Sequence, residues 1–175
     1  MILIILSPIF LIVAFCILLE DGSPIFFKQK RVGVNYTFFN IYKFRSMKKN
    51  TPNVATHLLE NPQQYLLKIG GVLRKISFDE LPNLINIIKG EMVFVGPRPA
   101  LYNQDDLMAL RVTAGIDKLR PGITGWAQVN GRDEISIQKK VEYECEYILK
   151  KSITFNFYIL ILTFIRVFLS RNISH

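Results

Sequence analysis

The run from Met1 to Leu19 carries no charged residue, and its only interruptions are Ser7, Pro8 and small side chains. A stretch this apolar can bury its backbone polar groups in lipid only by folding as a helix. At about 19 residues it just reaches the length that crosses a bilayer. Pro8 removes a helical N–H near the middle of the run, and Ser7 beside it can compete for the freed backbone groups. Local chemistry allows two outcomes: a kinked spanning helix or a re-entrant one that turns back at the proline. The segment does not read as a cleaved leader, because no basic region precedes it and Leu18-Leu19-Glu20-Asp21 lacks the small-residue cleavage pattern. Lys28, Lys30 and Arg31 come soon after it, and the positive-inside rule places the chain beyond the apolar run in the cytoplasm.

The 175 residues suffice for one catalytic unit with a real core. Half of them are hydrophobic, yet 22 Lys and Arg against 14 Asp and Glu leave a formal charge of +8. That combination points to an anionic, membrane-associated setting. A nucleic-acid binder rarely also carries apolar runs at both ends. Cys16 and Cys145 are too far apart in sequence to suggest a metal pair or a disulfide framework, and a reducing compartment fits. His57 and His175 are too few and too isolated for a zinc site or a histidine-based triad.

Ile25 to Arg45 alternates like a β-hairpin turning at Gly33-Val34-Asn35, which places Lys43 and Arg45 on one face of its second arm. Lys48 to Thr56 reads as a polar loop. Asn61-Pro62 predicts a helix start running to about Lys75, and a second helix is expected from near Asp79 to Gly90. Glu91 to Val95 reads as a short buried strand, and Gly96 to Gly131 as site-forming loop, dense in Gly, Pro and Arg. A charged amphipathic helix is expected from about Asp133 to Lys151. The second apolar run, Ile153 to Leu169, tolerates Arg166 and so suits a helix at the membrane interface.

Ser77-Phe-Asp-Glu-Leu-Pro82 contains the first candidate chemistry. Ser77 with Glu80 matches a capping box, and acids in a first turn favour the helix dipole, so a purely structural reading is available. Pro82 argues for a start at Asp79 instead. Functionally, adjacent carboxylates after Arg74-Lys75 offer a nucleophile for phosphorus and a ligand for a divalent metal, with the cations keeping the nucleophile ionised. Asp105-Asp106 and Asp133-Glu134 are rival pairs that spacing does not rank. The second candidate is a trio of arginines in Gly- and Pro-bounded turns: Arg98, Arg120 and Arg132. Each alone reads as a solvated loop cation. Three stiff loops presenting guanidinium forks beside glycines suit phosphate oxygens. Trp126 reads as core, and the Lys28 to Arg31 cluster as a headgroup contact.

At these residues the chain resembles the bacterial sugar transferase family, the monotopic phosphoglycosyl transferases. The motifs are Ser7-Pro8, Pro24 to Gly33, Ile41 to Met47, Leu73 to Leu84, Gly90 to Pro99 and Arg120 to Arg132, six in order. The resemblance implies an α+β, predominantly helical, compact monotopic membrane domain with an N-terminal re-entrant or membrane helix, a short β-hairpin and interfacial amphipathic helices. Residues 1–19 would form the membrane helix, hinged at Ser7-Pro8, and residues 20–175 the catalytic domain on the cytoplasmic face of the bacterial inner membrane. Asp79 is implied as nucleophile toward a UDP-sugar, forming a phosphosugar-enzyme intermediate that polyprenyl phosphate resolves. Asp79 and Glu80 are implied in binding Mg2+, and Arg74 and Arg98 in phosphate contact. Arg120, Gly122, Thr124, Gly125, Gln128 and Arg132 are implied in nucleotide recognition, with Lys43 and Arg45 completing the substrate set. Membrane lipid is an expected partner and nucleic acid is not. Two departures stand out: only six residues precede Ser7, where relatives carry a longer helix, and Asn156 stands about where many have Asp.

Overall fold

The computed structural model describes residues 2–52, 60–131 and 134–169; Arg132, Asp133, His57 and His175 lie outside them. The architecture is α+β and mainly helical. In order come α1 (Ile2–Asp21), β1 (Phe26–Val32), β2 (Phe38–Phe44), α2 (Lys68–Lys75), α3 (Asn83–Ile88), β3 (Val93–Val95), α4 (Asp105–Thr113), β4 (Gly122–Thr124), α5 (Trp126–Val129), α6 (Ile137–Lys150) and α7 (Ile153–Leu169). Two compact units divide these elements: Met1–Lys28 with Tyr42–Leu84, and Gln29–Ile41 with Ile85–His175.

In the first unit α1 runs through Pro8 as one helix. Proline has no N–H for the carbonyl four residues back, which is that of Ile4, and the Ser7 hydroxyl donates to that oxygen at 2.7 Å. Val13 and Ile17, one turn apart, enter a core with Phe44, Leu67 and Leu73, joined by Ile9 and Phe10. The window Ile4–Asp21 averages a hydropathy of 2.4 and is long and apolar enough to cross a membrane. Only 11% of it is buried, unlike the core helix of a soluble protein.

Two acids end α1, and both fix segments distant in sequence. The Glu20 carboxylate accepts from the N–H groups of Lys68 and Ile69, at 2.6 and 3.3 Å. It therefore supplies the N-terminal cap that Leu67 has no side chain to provide. This contact explains why the helix expected from Asn61 does not start there. Pro62–Tyr65 forms a 3-10 turn, Leu66 and Leu67 are extended, and α2 begins at Lys68. Asp21 takes the Arg45 guanidinium and the Lys49 N–H.

The second expected helix also differs. Ser77 sits at φ 57° and ψ 23° with no capping hydrogen bond. The capping box does not form, because a left-handed residue turns the chain before the acids arrive. Phe78–Glu80 makes a 3-10 turn, Pro82 is fully buried, and α3 begins only at Asn83.

In the second unit β3 and β4 pair in parallel, Val93 opposite Gly122 and Val95 opposite Thr124. The stretch expected as loop between Gly96 and Gly131 thus holds α4, β4 and α5. The amphipathic helix begins at Ile137 rather than near Asp133, capped by Ser136, whose hydroxyl accepts from the Lys139 N–H at 3.2 Å. One apolar cluster joins Val95, Val129, Tyr147 and Ile159, tying β3, α5, α6 and α7 together. Tyr147 reaches the Val95 carbonyl at 3.1 Å and Asn156 Oδ1 at 3.0 Å, and Thr163 meets Thr124 at 2.7 Å. The buried Asn86 donates to the Asn40 carbonyl and to Glu91, both at 2.7 Å, fixing the hairpin half that lies in this unit.

Gly70 allows the closest backbone approach in the first unit: a Cβ there would lie 2.0 Å from the Ser46 carbonyl oxygen, whereas one on Gly71 meets nothing within 4 Å. Gly70→Ala is expected to destabilise by about 1–3 kcal/mol, since backbone must shift. Gly71→Ala gains up to about 1 kcal/mol of helix propensity. Denaturant melts of the two detergent-solubilised variants check this, and equal effects would contradict the packing at Gly70.

Candidate active site

Asp79 and Glu80 lie in the 3-10 turn between α2 and α3, in the first unit, whereas the rival pair Asp105-Asp106 opens α4 in the second. Asp79 is 8% exposed. Lys43, near the end of β2, binds Glu80 at 2.5 Å, and Arg74, in the last turn of α2, donates from Nε to the Ser46 hydroxyl at 2.9 Å. Gly70 is one helical turn before Arg74, so the close approach at Ser46 also places that guanidinium. Ser46 is buried and was not expected in the site; it lies inside the Ile41 to Met47 motif without a chemical signature of its own.

Burial pushes the Asp79 carboxyl above the usual carboxylate range. Lys43 pulls it back down, Glu80 adds to the rise, and Arg74 opposes it. Burial also lowers the proton affinity of Arg74, and the Asp79 charge partly restores it. The cations acting on the nucleophile candidate are thus Lys43 and Arg74, where the sequence suggested Arg74 and Lys75. Among the described residues no salt bridge fixes Asp79, so burial leaves its carboxyl largely stripped of water yet near the positive charge of Lys43 and Arg74.

Arg45, expected to share a substrate-facing surface with Lys43, is used structurally. It is 6% exposed and donates to the Asp21 carboxylate and to the carbonyls of Pro24 and Gly22, at 2.6 and 2.5 Å for the last two. The strand ends at Phe44, yet the Arg45 N–H still donates to the Ile25 carbonyl at 2.8 Å; its guanidinium is spent on the residues that link α1 to β1.

Arg98, Arg120, Gly122, Thr124, Gly125 and Gln128 belong to the second unit. Arg120 is exposed and Arg98 half-buried. Gly122 and Gly125 are buried, and their missing side chains are spent on close approach to Gly96: Cβ atoms there would fall 2.2 and 2.1 Å from its backbone. The Thr124 hydroxyl is shared with Thr163. Gln128 donates to the Ile123 carbonyl at 2.8 Å, while its Oε1 is buried without a hydrogen-bond partner. Trp126, expected as core, is partly buried at its edge: it donates to Glu146 at 3.0 Å and packs on Phe155 with ring centroids 5.1 Å apart. Local sequence gave no sign of the buried Arg111–Glu144 ion pair, whose members lie 33 residues apart.

Paired carboxylates flanked by cations in one unit, and arginine-bearing Gly and Pro turns in the other, are the equipment of a protein that handles phosphate groups. A family model described as bacterial sugar transferase matches residues 1–170. The uncharacterized sugar transferase EpsL of Bacillus subtilis (strain 168) is 40% identical over 168 residues, covering 96% of this chain and 82% of that protein. The exopolysaccharide production protein ExoY of Sinorhizobium fredii (strain NBRC 101917 / NGR234) is 36% identical over 184 residues, 97% of this chain and 81% of that protein. The UDP-glucose:undecaprenyl-phosphate glucose-1-phosphate transferase of Escherichia coli (strain K12) is 36% identical over 179 residues, which are 98% of this chain and 38% of that longer protein. The chain belongs to the bacterial sugar transferase family, and it is a transferase enzyme.

The electrostatics of Asp79 set a stability signature. A carboxyl that binds its proton more tightly when folded loses stability as pH rises from its unfolded value through its folded one. Asp79→Asn removes that cost. Its melting temperature is expected above that of the unaltered protein at neutral pH without divalent cations, the gap closing as pH falls toward about 4. A gap that widens on acidification would contradict the dominance of burial.

Proposed function

We propose that this enzyme transfers a sugar 1-phosphate from a UDP-sugar to polyprenyl phosphate, undecaprenyl phosphate in bacteria, as an early step of exopolysaccharide or other glycoconjugate synthesis. The observation that carries the reading is the buried Asp79 carboxylate beside Glu80, Lys43 and Arg74. The names of the Escherichia coli and Sinorhizobium fredii relatives support the acceptor and the pathway class.

In the first half-reaction an Asp79 oxygen attacks the phosphorus that bears the sugar. The P–O bond to the α-phosphate breaks, its electron pair leaves with UMP, and an aspartyl phosphosugar remains. In the second, a polyprenyl phosphate oxygen attacks the same phosphorus and the carboxylate is released. Lys43 and Arg74 oppose the pull of burial on Asp79; in the second unit, Arg98 and Arg120 carry guanidinium charge suited to phosphate oxygens. An ionised carboxylate attacks phosphorus without the help of a general base.

Asp79 and Glu80 offer the hard carboxylate oxygens that Mg2+ prefers, and Asn83, four residues after Asp79, buries an amide oxygen with no hydrogen-bond partner. The donor set fits the ion. Among the described residues no three acidic, histidine or cysteine side chains gather, so water and phosphate oxygens would fill the remaining positions. Bound there, Mg2+ supplies neutralisation of the diphosphate.

The chain is proposed to be monotopic, on the cytoplasmic face of the inner membrane. α1 is about 30 Å long at 1.5 Å per residue, just a bilayer's hydrocarbon thickness. Ile9, Val13 and Ile17 spend one stripe of it on the core that also holds Phe78 and Leu81 of the Asp79 turn. That packing ties α1 to the catalytic unit and supports its entry into one leaflet, whereas its unbroken course through Pro8 has no turn back at the proline, the hinge expected at Ser7-Pro8. On α7, Ile153, Phe157, Ile161 and Phe164 are exposed, which supports an interfacial helix.

Asp79→Asn is expected to abolish UMP release from a UDP-sugar while expression and membrane association persist, an amide being a poor nucleophile. Mass spectrometry of the unaltered enzyme incubated with donor alone should find the phosphosugar on the peptide containing Asp79. Substantial turnover by the variant sinks the assignment. Glu80→Gln should shift the Mg2+ titration to higher concentration, with excess metal partly restoring rate; an unchanged titration would remove Glu80 from the metal site.

A further inference from the structure

The turn after β3 has four consecutive carbonyls committed to hydrogen bonds inside the second unit. Pro97 accepts from the Gly122 N–H at 2.8 Å and Ala100 from the Val32 N–H at 3.0 Å. Between them, Arg98 accepts from Arg111 Nη2 at 2.9 Å and Pro99 from Arg31 Nη1 at 3.0 Å. Backbone N–H groups fill most carbonyls in proteins; here two adjacent ones are filled by guanidinium groups. From Val95 to Ala100, Arg98 alone is not buried.

Arg111 is itself 5% exposed, and its charge is met by Glu144, at 2%. Its Nε donates to Glu144 Oε2 at 2.8 Å, and Nη2 serves both Glu144 Oε1 and the Arg98 carbonyl. Removing two charges from water costs more than their attraction usually returns, so net stability is a weak reason for such a pair where apolar residues would fill the space. A planar fork does offer direction. Fixed by one carboxylate, it can hold a carbonyl at a set angle, which no apolar side chain can do.

We propose that Arg111, clamped by Glu144, is a positioning residue for the donor's diphosphate: it draws the Arg98 carbonyl inward, so that the turn meets the phosphates without an exposed acceptor oxygen. This rests on the assignment of Arg98 to phosphate contact under the proposed function. A carbonyl oxygen turned outward beside that guanidinium would oppose an anion in a low-dielectric site. Arg31, itself bonded to Gln29 Oε1 at 2.5 Å, does the same for the next carbonyl. The turn is thereby shaped for phosphate before the donor arrives, which lowers the reorganisation needed on binding.

The test is a double-mutant cycle on detergent-solubilised full-length enzyme, following UMP release from UDP-glucose, or from whichever UDP-sugar of a panel turns over fastest. Arg111→Lys keeps a cation for Glu144 but loses the fork that serves two acceptors. It is expected to raise KM for the donor about tenfold, with kcat changing less than about threefold. Combined with Arg98→Ala, it should add less than about twofold to the loss of kcat/KM, because its effect passes through the same turn. Arg31→Lys, which leaves the buried pair intact, should raise KM about threefold with the same lack of additivity, and it decides the question if Arg111→Lys does not fold.

The proposal is overturned if the losses multiply in full. It is also overturned if Arg111→Lys lowers only the active fraction at unchanged KM, as a purely structural role requires. A different failure identifies the underlying reading as wrong: no UMP release by the unaltered enzyme with any UDP-sugar, or Arg98→Ala without effect on KM.

Discussion

Two carboxylates at the end of an oily helix organise the first unit. Glu20 caps α2 through the N–H groups of Lys68 and Ile69, and Asp21 holds Arg45 where β2 ends. Both contacts join segments more than 20 residues apart in sequence, 48 in the case of Glu20 and Lys68 and 24 in the case of Asp21 and Arg45. With α2 anchored there, Gly70 meets the Ser46 carbonyl and Arg74 reaches the Ser46 hydroxyl. The electrostatic setting of Asp79 thus descends from the point where the apolar helix ends. An apolar helix and a polar site are parts of one packing problem.

The two units solve the problem of holding cations differently. In the first, Lys43 and Arg74 act on Asp79 through space, and burial outweighs them, so the carboxyl stays a stronger base than a surface aspartate. In the second, Arg111 and Arg31 are consumed by carboxylate, amide and carbonyl oxygens and serve as scaffolding. Arg45 belongs with that group despite its place beside Lys43 in sequence. Counting basic residues in a motif therefore overstates how many face an anion.

The hairpin, the apolar helices and the charged amphipathic helix were legible because each depends on local pattern: alternation, an uncharged run, helical periodicity; the Ser136 cap was not foreseen, and that helix was expected to start near Asp133. What escaped was set by contacts across the chain. Asn61-Pro62 has the chemistry of a helix start, but Glu20 places the cap at Lys68 instead. Ser77 has the chemistry of a cap, but its left-handed backbone spends it on a turn. The glycines of the Arg120 to Gly125 stretch read as room for an anion, and Gly122 and Gly125 prove to be room for Gly96. Arg111 and Glu144 lie 33 residues apart, and local pattern would have paired Glu144 with Lys140, four residues before it, instead.

The polar contacts of α7 carry one more consequence. Thr163 joins Thr124 of β4, and Asn156 meets Tyr147, which also binds the Val95 carbonyl of β3. A helix whose sole task was adhesion to lipid would be interchangeable with any other oily helix of its length. This one is keyed, by two side chains on its inner face, to the strands that carry the arginine turns. Replacing α7 by an unrelated oily helix of its length would leave those strand ends without their brace, so its residues answer to the strands and not to apolarity alone.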